Sequence, residues 1–243
     1  MIEEGSVLDS PGLPVLSQNT LGAAVKQAYS HSKITIVHVL TFPTAQTAVD
    51  IGIDGVAHLF IDQPHTTEIV SSIAKANVFF TPYLGVNASL PNTLRSEKSA
   101  SDPRVSCRLS PPWLSTLKAS FNTYPTGGFD DDLATVKALH DAGVDILAST
   151  DVSVPMAEFG GLAHGASVHH ELQLFVEAGF SPAEVLKTAT SVPAKRFGLG
   201  DRGKVEVGKR ADLLLVKGNP TKDIDDTLNI ENIWRRGVKV IAA

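Results

Sequence analysis

The chain has 243 residues, 43% of them hydrophobic, enough to bury a substantial core in one large domain or in one domain with an appendage. Twenty-one basic against 26 acidic side chains leave a formal charge of -5, which provides no electrostatic footprint for nucleic acid or an anionic membrane surface. The single cysteine, Cys107, excludes an internal disulfide, no window approaches the roughly 18 apolar residues of a membrane-spanning helix, and the N-terminus lacks the order of a secretory signal, so a cytoplasmic protein is expected.

Leu21, Ala24, Val25 and Ala28 recur at helical spacing and predict a helix over 17–30, with Ser17 as its N-cap. The β-branched run 34–40 reads as a strand buried on both faces of a parallel sheet, with His38 near its C-terminal end. A helix from Pro43 to Ile51, stopped by Gly52, leads into a second strand over 55–60, where His58 repeats the position of His38. A helix over 66–76 and a strand over 78–84 continue the alternation, with Pro82 confined to the strand end. Residues 85–129, rich in Ser, Pro and Asn, are too long for an ordinary connection and read as an insertion or a lid. The alternation resumes with a helix over 131–142, a strand over 145–150 that leads into Asp151, and helices over 166–177, 181–190 and 192–197. Beyond Leu199, the segments 205–207, 211–216 and 230–241 read as antiparallel strands with turns at Gly208-Lys209 and Arg236-Gly237. The expected division is therefore 1–199 for an α/β domain and 200–243 for a small appended sheet.

Four apolar strands alternating with helices fit a doubly wound sheet or part of a (β/α)8 barrel, and four are too few to close a barrel. In both folds ligands meet the C-terminal ends of the strands, where His38, His58 and Asp151 are predicted. The two histidines are 20 residues apart, about one strand, helix and return, which places them on neighbouring strands. A lone histidine is more often a hydrogen-bonded core residue; two at equivalent strand ends, with a carboxylate, favour zinc or a similar first-row divalent ion holding a water of lowered pKa. Asp151 would both ligate and accept the water proton.

Several phrases resemble the amidohydrolase superfamily, in particular its prolidase-like and imidazolonepropionase-like branch. They are Ile36-Val37-His38-Val39, Gly55-Val56-Ala57-His58, Leu147-Ala148-Ser149-Thr150-Asp151, the helix from Ser167 to Leu172, and the tail Gly203-Lys204-Val205-Glu206-Val207-Gly208-Lys209-Arg210-Ala211-Asp212-Leu213. The resemblance implies that His38 and His58 match the ligands of barrel strands five and six, and that Asp151 matches the strand-eight aspartate, a metal ligand and general base. The chain would then hold half of a (β/α)8 barrel, strands five to eight, with the strands of a composite sandwich after residue 200, and would hydrolyse a C–N bond of a small molecule or dipeptide-like substrate.

Two parts of the family pattern are missing. None of the eight histidines forms the His-x-His pair of the first barrel strand, and Lys26 and Lys33 do not match the bridging lysine of the fourth. The resemblance thus implies a chain that begins after the fourth strand, with open strand edges for a second copy to cover in a homodimer. A truncated non-catalytic homologue and a lyase or cyclase using His/Asp acid–base chemistry remain open beside the hydrolase. Tyr83 and His164 rank below the three ligands as substrate contacts. Glu171 reads as complementing the dipole of its own helix, and Asp130, Asp131 and Asp132 as the negative first turn of theirs.

Overall fold

The computed structural model describes residues 7, 12, 14–91 and 95–240. The Ser17 hydroxyl accepts the Thr20 amide and starts α1 (Gln18–Ser30), which buries Leu21 and Val25. There follow β1 (Ile36–His38), α2 (Phe42–Asp50), β2 (Gly55–Ala57), α3 (Thr67–Ala76) and β3 (Phe79–Thr81). Pro43 lies in the first turn of α2, where its missing N–H costs nothing. Thr66 caps α3 by accepting the Ile69 amide, and Asn77 ends it in the left-handed conformation. The three strands are parallel in the order β1-β2-β3, with Val37 opposite Val56 and Val56 opposite Phe80. Val56 and Phe80 are completely buried, as the unbroken apolar runs predict.

The fourth predicted strand is realised only in part. Asp145 accepts the Phe80 amide and Leu147 donates to the Phe80 carbonyl, which makes a single parallel bridge between Phe80 and Ile146. No further bridge to β3 forms among the described residues; the Ala148 amide, which faces the opposite edge, donates to the carbonyl of Thr188.

The stretch 85–129 carries short helices among its described residues, α4 (Leu84–Ser89), α5 (Glu97–Ser101), α6 (Pro103–Ser106) and α7 (Pro111–Leu117), and then runs without regular structure to residue 128. Ala100, Val105 and Leu117 form a satellite core with Ala163, Ala166 and Leu228. α8 (Phe129–Asp141), α9 (Ala166–Glu177), α10 (Pro182–Thr188) and α11 (Ser191–Arg196) complete the α/β layer. α10 starts in a capping box between Ser181 and Glu184.

A separate antiparallel sheet follows in the order β4 (Leu213–Val216), β5 (Ile230–Arg235) and β6 (Val238–Val240). Arg236 and Gly237 both have positive φ, as a two-residue hairpin turn requires. The strand expected at Val205–Val207 does not form: Val207 is fully exposed, and the chain instead closes a turn from the Lys209 amide to the Glu206 carbonyl. Alternating apolar residues make a strand only when a neighbour accepts the ladder, and none does here among the described residues. Among the described residues no helix is long and apolar enough to cross a membrane.

Phe80 joins the parallel ladder to the main core. Phe80→Ala should destabilise the protein by about 3–5 kcal/mol, whereas Val207→Ala should change stability by less than about 0.5 kcal/mol. Urea unfolding of the two variants checks both.

Candidate active site

Parallel register brings the C-terminal ends of the strands to one edge of the sheet. His38 is the last residue of β1, His58 follows β2 directly, and Tyr83 stands just beyond β3. His58 is fixed by its amide, which donates to the Thr81 carbonyl at 2.9 Å, so β3 sets the direction of the chain as it leaves β2. The His38 and His58 rings meet edge to face, 4.3 Å between centroids. The Tyr83 ring lies on the His58 ring at 4.4 Å, tilted by 34°. Asp151 Oδ2 comes within 3.6 Å of His58 Nε2. His38, His58, Asp151 and Tyr83 are therefore one group, with His58 at its centre.

Backbone conformation marks the same place. His58, Tyr83 and Asp151 have φ of 70°, 55° and 51°, in the left-handed region that non-glycine residues avoid at a cost of about 1–2 kcal/mol each. Each bends the chain sharply as it leaves the strand layer.

His58 is buried, and burial together with the neighbouring His38 holds its pKa down to about 3. The attraction of Asp151 does not offset this, because the Asp151 side chain is 57% exposed and water screens it. The His58 ring is consequently neutral at physiological pH, the state in which an imidazole binds metal. Its Nδ1 is buried with no hydrogen-bond partner among the described residues, an exception that native proteins seldom keep without reason.

The donor set suits a divalent ion. Two donors at the metal distances of tetrahedral zinc stand roughly 3.4 Å apart, and His58 Nε2 and Asp151 Oδ2 are 3.6 Å apart. A closed set of three or more His, Cys, Asp or Glu ligands is not assembled among the described residues. The fit therefore rests on one pair at ligand spacing, with the second imidazole against it.

His164 makes its contacts elsewhere. Its ring packs on Trp113 at 4.7 Å and its Nε2 is 3.3 Å from the Ser153 carbonyl, on the loop after Asp151. Glu171 corrects the reading from sequence. It sits in the sixth position of α9, 1% exposed, and its carboxylate oxygens accept the Leu84 and Gly85 amides at 2.9 Å each, so it serves the start of α4 rather than its own helix. Burial pushes its pKa up to about 8, against the opposing pull of those two amides. The signal was present in the sequence: Glu171 lies on the apolar stripe of α9 with Leu174 and Phe175.

The profile of the amidohydrolase family matches residues 4–240. An imidazolonepropionase of Deinococcus deserti is 31% identical over 108 residues, 43% of this chain and 26% of that protein. Among solved structures, a Xaa-Pro dipeptidase with bound methionine in its active site superposes with a TM-score of 0.68 at 20% identity, over 94% of this chain and 50% of its own. The ochratoxinase of A. niger gives 0.68 at 19% identity, over 98% of this chain and 49% of its own. The chain thus spans about half the length of these structures and a quarter of that imidazolonepropionase. At such identities the superpositions establish the α/β fold alone, and the profile match establishes the rest: the chain belongs to the amidohydrolase family.

Proposed function

We propose that the chain is a metal-dependent hydrolase of carbon–nitrogen bonds in a small amide, cyclic amide or dipeptide-like substrate. The observation that carries this reading is the meeting of His38, His58 and Asp151 at the ends of parallel strands, with a neutral imidazole at their centre. In this reading the sheet is the second half of a (β/α)8 barrel, strands five to eight, which its coverage of half of each related structure supports. Residues after 200 supply strands to a composite sandwich. A small-molecule substrate and a homodimer complete the proposal; the dimer is motivated by Leu214, Leu215 and Ile233, large apolar side chains exposed on the small sheet.

His38 and His58 would hold the ion, zinc or a similar divalent metal, through ring nitrogens, with Asp151 as third ligand. When bound, such an ion supplies Lewis acidity and lowers the pKa of water to about 7. Asp151, open to solvent, takes a proton from the attacking water at its carboxylate oxygen and returns it to the departing nitrogen. Tyr83, half-buried against His58, forms a wall for the substrate; His164, engaged with Trp113 and the loop after Asp151, is a more distant candidate contact.

A second reading, a non-catalytic family member, is favoured by the absence of any His-x-His pair among the eight histidines. It differs in one measurable respect, that no member of an acyl-amino-acid and dipeptide panel is turned over.

Zinc titration of metal-free protein should show stoichiometric uptake, and His58→Ala should weaken it by more than the roughly tenfold that loss of an outer partner costs. Asp151→Asn should lower turnover roughly 10²–10⁴-fold; unchanged zinc affinity in His58→Ala refutes the ligand set. The stability linkage of His58 has a definite sign. The unfolded ring takes a proton near 6.5 and the folded ring only near 3, so the contribution is complete above about pH 6.5 and is lost as pH falls toward 3. Urea unfolding at pH 7 and pH 5 should accordingly show a smaller loss of stability on acidification in His58→Asn than in the parent protein.

A further inference from the structure

We propose that Glu171 is a positioning residue: its carboxylate clamps the turn after β3 and thereby holds Tyr83 against His58. The inference rests on the reading that the His38, His58 and Asp151 group is the working site, and it adds a residue that touches none of the three.

Tyr83 is held in a conformation that it would not keep alone, because φ of 55° is unfavourable for a residue with a Cβ. It also stands at the N-cap of α4 without supplying a side-chain cap. The first amides of α4 are therefore donors with no partner inside the helix, and Leu84 is completely buried, so water cannot serve them. Glu171 satisfies both from 86 and 87 residues away, Oε1 on Leu84 and Oε2 on Gly85, each at 2.9 Å. Two bonds to successive amides fix position as well as orientation. The turn cannot relax toward an extended φ at Tyr83 without breaking them, and relaxation would lift the Tyr83 ring from His58, 4.4 Å away. α9 carries the clamp in a well-packed setting, since Leu172, Leu174 and Phe175 are all core residues.

Isosteric replacement isolates this role. Glutamine keeps the shape but offers one oxygen and one NH2, so one amide of the turn would face a donor. The protein has three tyrosines, Tyr29, Tyr83 and Tyr124. Incorporation of 3-fluorotyrosine gives one ¹⁹F resonance for each, with Tyr83 assigned from its loss in Tyr83→Phe. Tyr29 is anchored separately, its hydroxyl donating to the Gly52 carbonyl, and serves as the internal reference.

In metal-free full-length chain, Glu171→Gln should shift or broaden the Tyr83 resonance and leave those of Tyr29 and Tyr124 in place. His58→Asn should move the Tyr83 resonance in the parent protein and move it much less when Glu171→Gln is also present, because the ring contact has already been loosened. An unmoved Tyr83 resonance in Glu171→Gln overturns the proposal. Joint movement of all three, or an undiminished effect of His58→Asn in the double variant, overturns it too, because Glu171 would then act on the fold in general. If Glu171→Gln does not fold, Glu171→Asp, which keeps the carboxyl group but withdraws it by one methylene, carries the same test with the same outcomes. The readout needs no metal, so failure to bind zinc would refute the proposed function and leave the positioning test intact.

Discussion

Parallel strands in register end together, and the ladder through Val37, Val56 and Phe80 imposes that condition on β1, β2 and β3. A shift of two residues in β2 would carry His58 about 7 Å along the strand, beyond reach of the His38 ring now 4.3 Å away. The ladder is defended by burial, since Val37, Val56 and Phe80 all belong to the main core. A slip by one residue would turn the side chains of the strand to the opposite face. The packing that stabilises the sheet is thus also what aligns the site.

Register alone brings the side chains to the same edge but does not aim them. The left-handed residues do that, each bending the chain directly after a strand or strand-like segment. Such conformations persist where the surroundings determine them twice over. At His58 the second determinant is the amide bond to Thr81; at Tyr83 it is the clamp from Glu171. Glycine, which takes positive φ freely, would remove the strain together with the imidazole or phenol, so the side chain at these positions is kept against a backbone preference. Functional chemistry is the simplest reason to keep it.

Much of this was legible in the sequence because period and punctuation are local. Ser17, Pro43, Thr66 and Gly143 mark helix ends, and the 20-residue spacing of His38 and His58 follows from one strand, helix and return. Failures occurred where the outcome depended on a distant partner. Val205-Glu206-Val207 alternates like a strand and finds no neighbour among the described residues; Asp145–Thr150 makes one bridge to β3 and then leaves it. A local rule makes Glu171 a charge near its own helix start, although its place on the apolar stripe of α9 requires a buried partner for it. The helices of the insertion are not legible in sequence because α5, α6 and α7 are held by a satellite core that reaches to Leu228, more than 100 positions away, and α4 by the main core.

The two ends of the His58–Asp151 contact lie in opposite environments, and that difference divides the labour between them. His58 is sealed, so the cost of burying charge keeps its ring neutral and its nitrogen lone pair available. Asp151 faces solvent, where a carboxylate can exchange a proton with water without reorganising the core. Exchanging the two residues would bury the carboxylate and expose the imidazole, the reverse of what the proposed roles require. Burial of the histidine follows from β2 being a central strand, flanked by β1 and β3; exposure of Asp151 follows from the early end of the ladder at Ile146, which frees the chain to leave the sheet. The incomplete fourth strand, a departure from an ideal parallel sheet, is therefore what leaves the proposed base accessible.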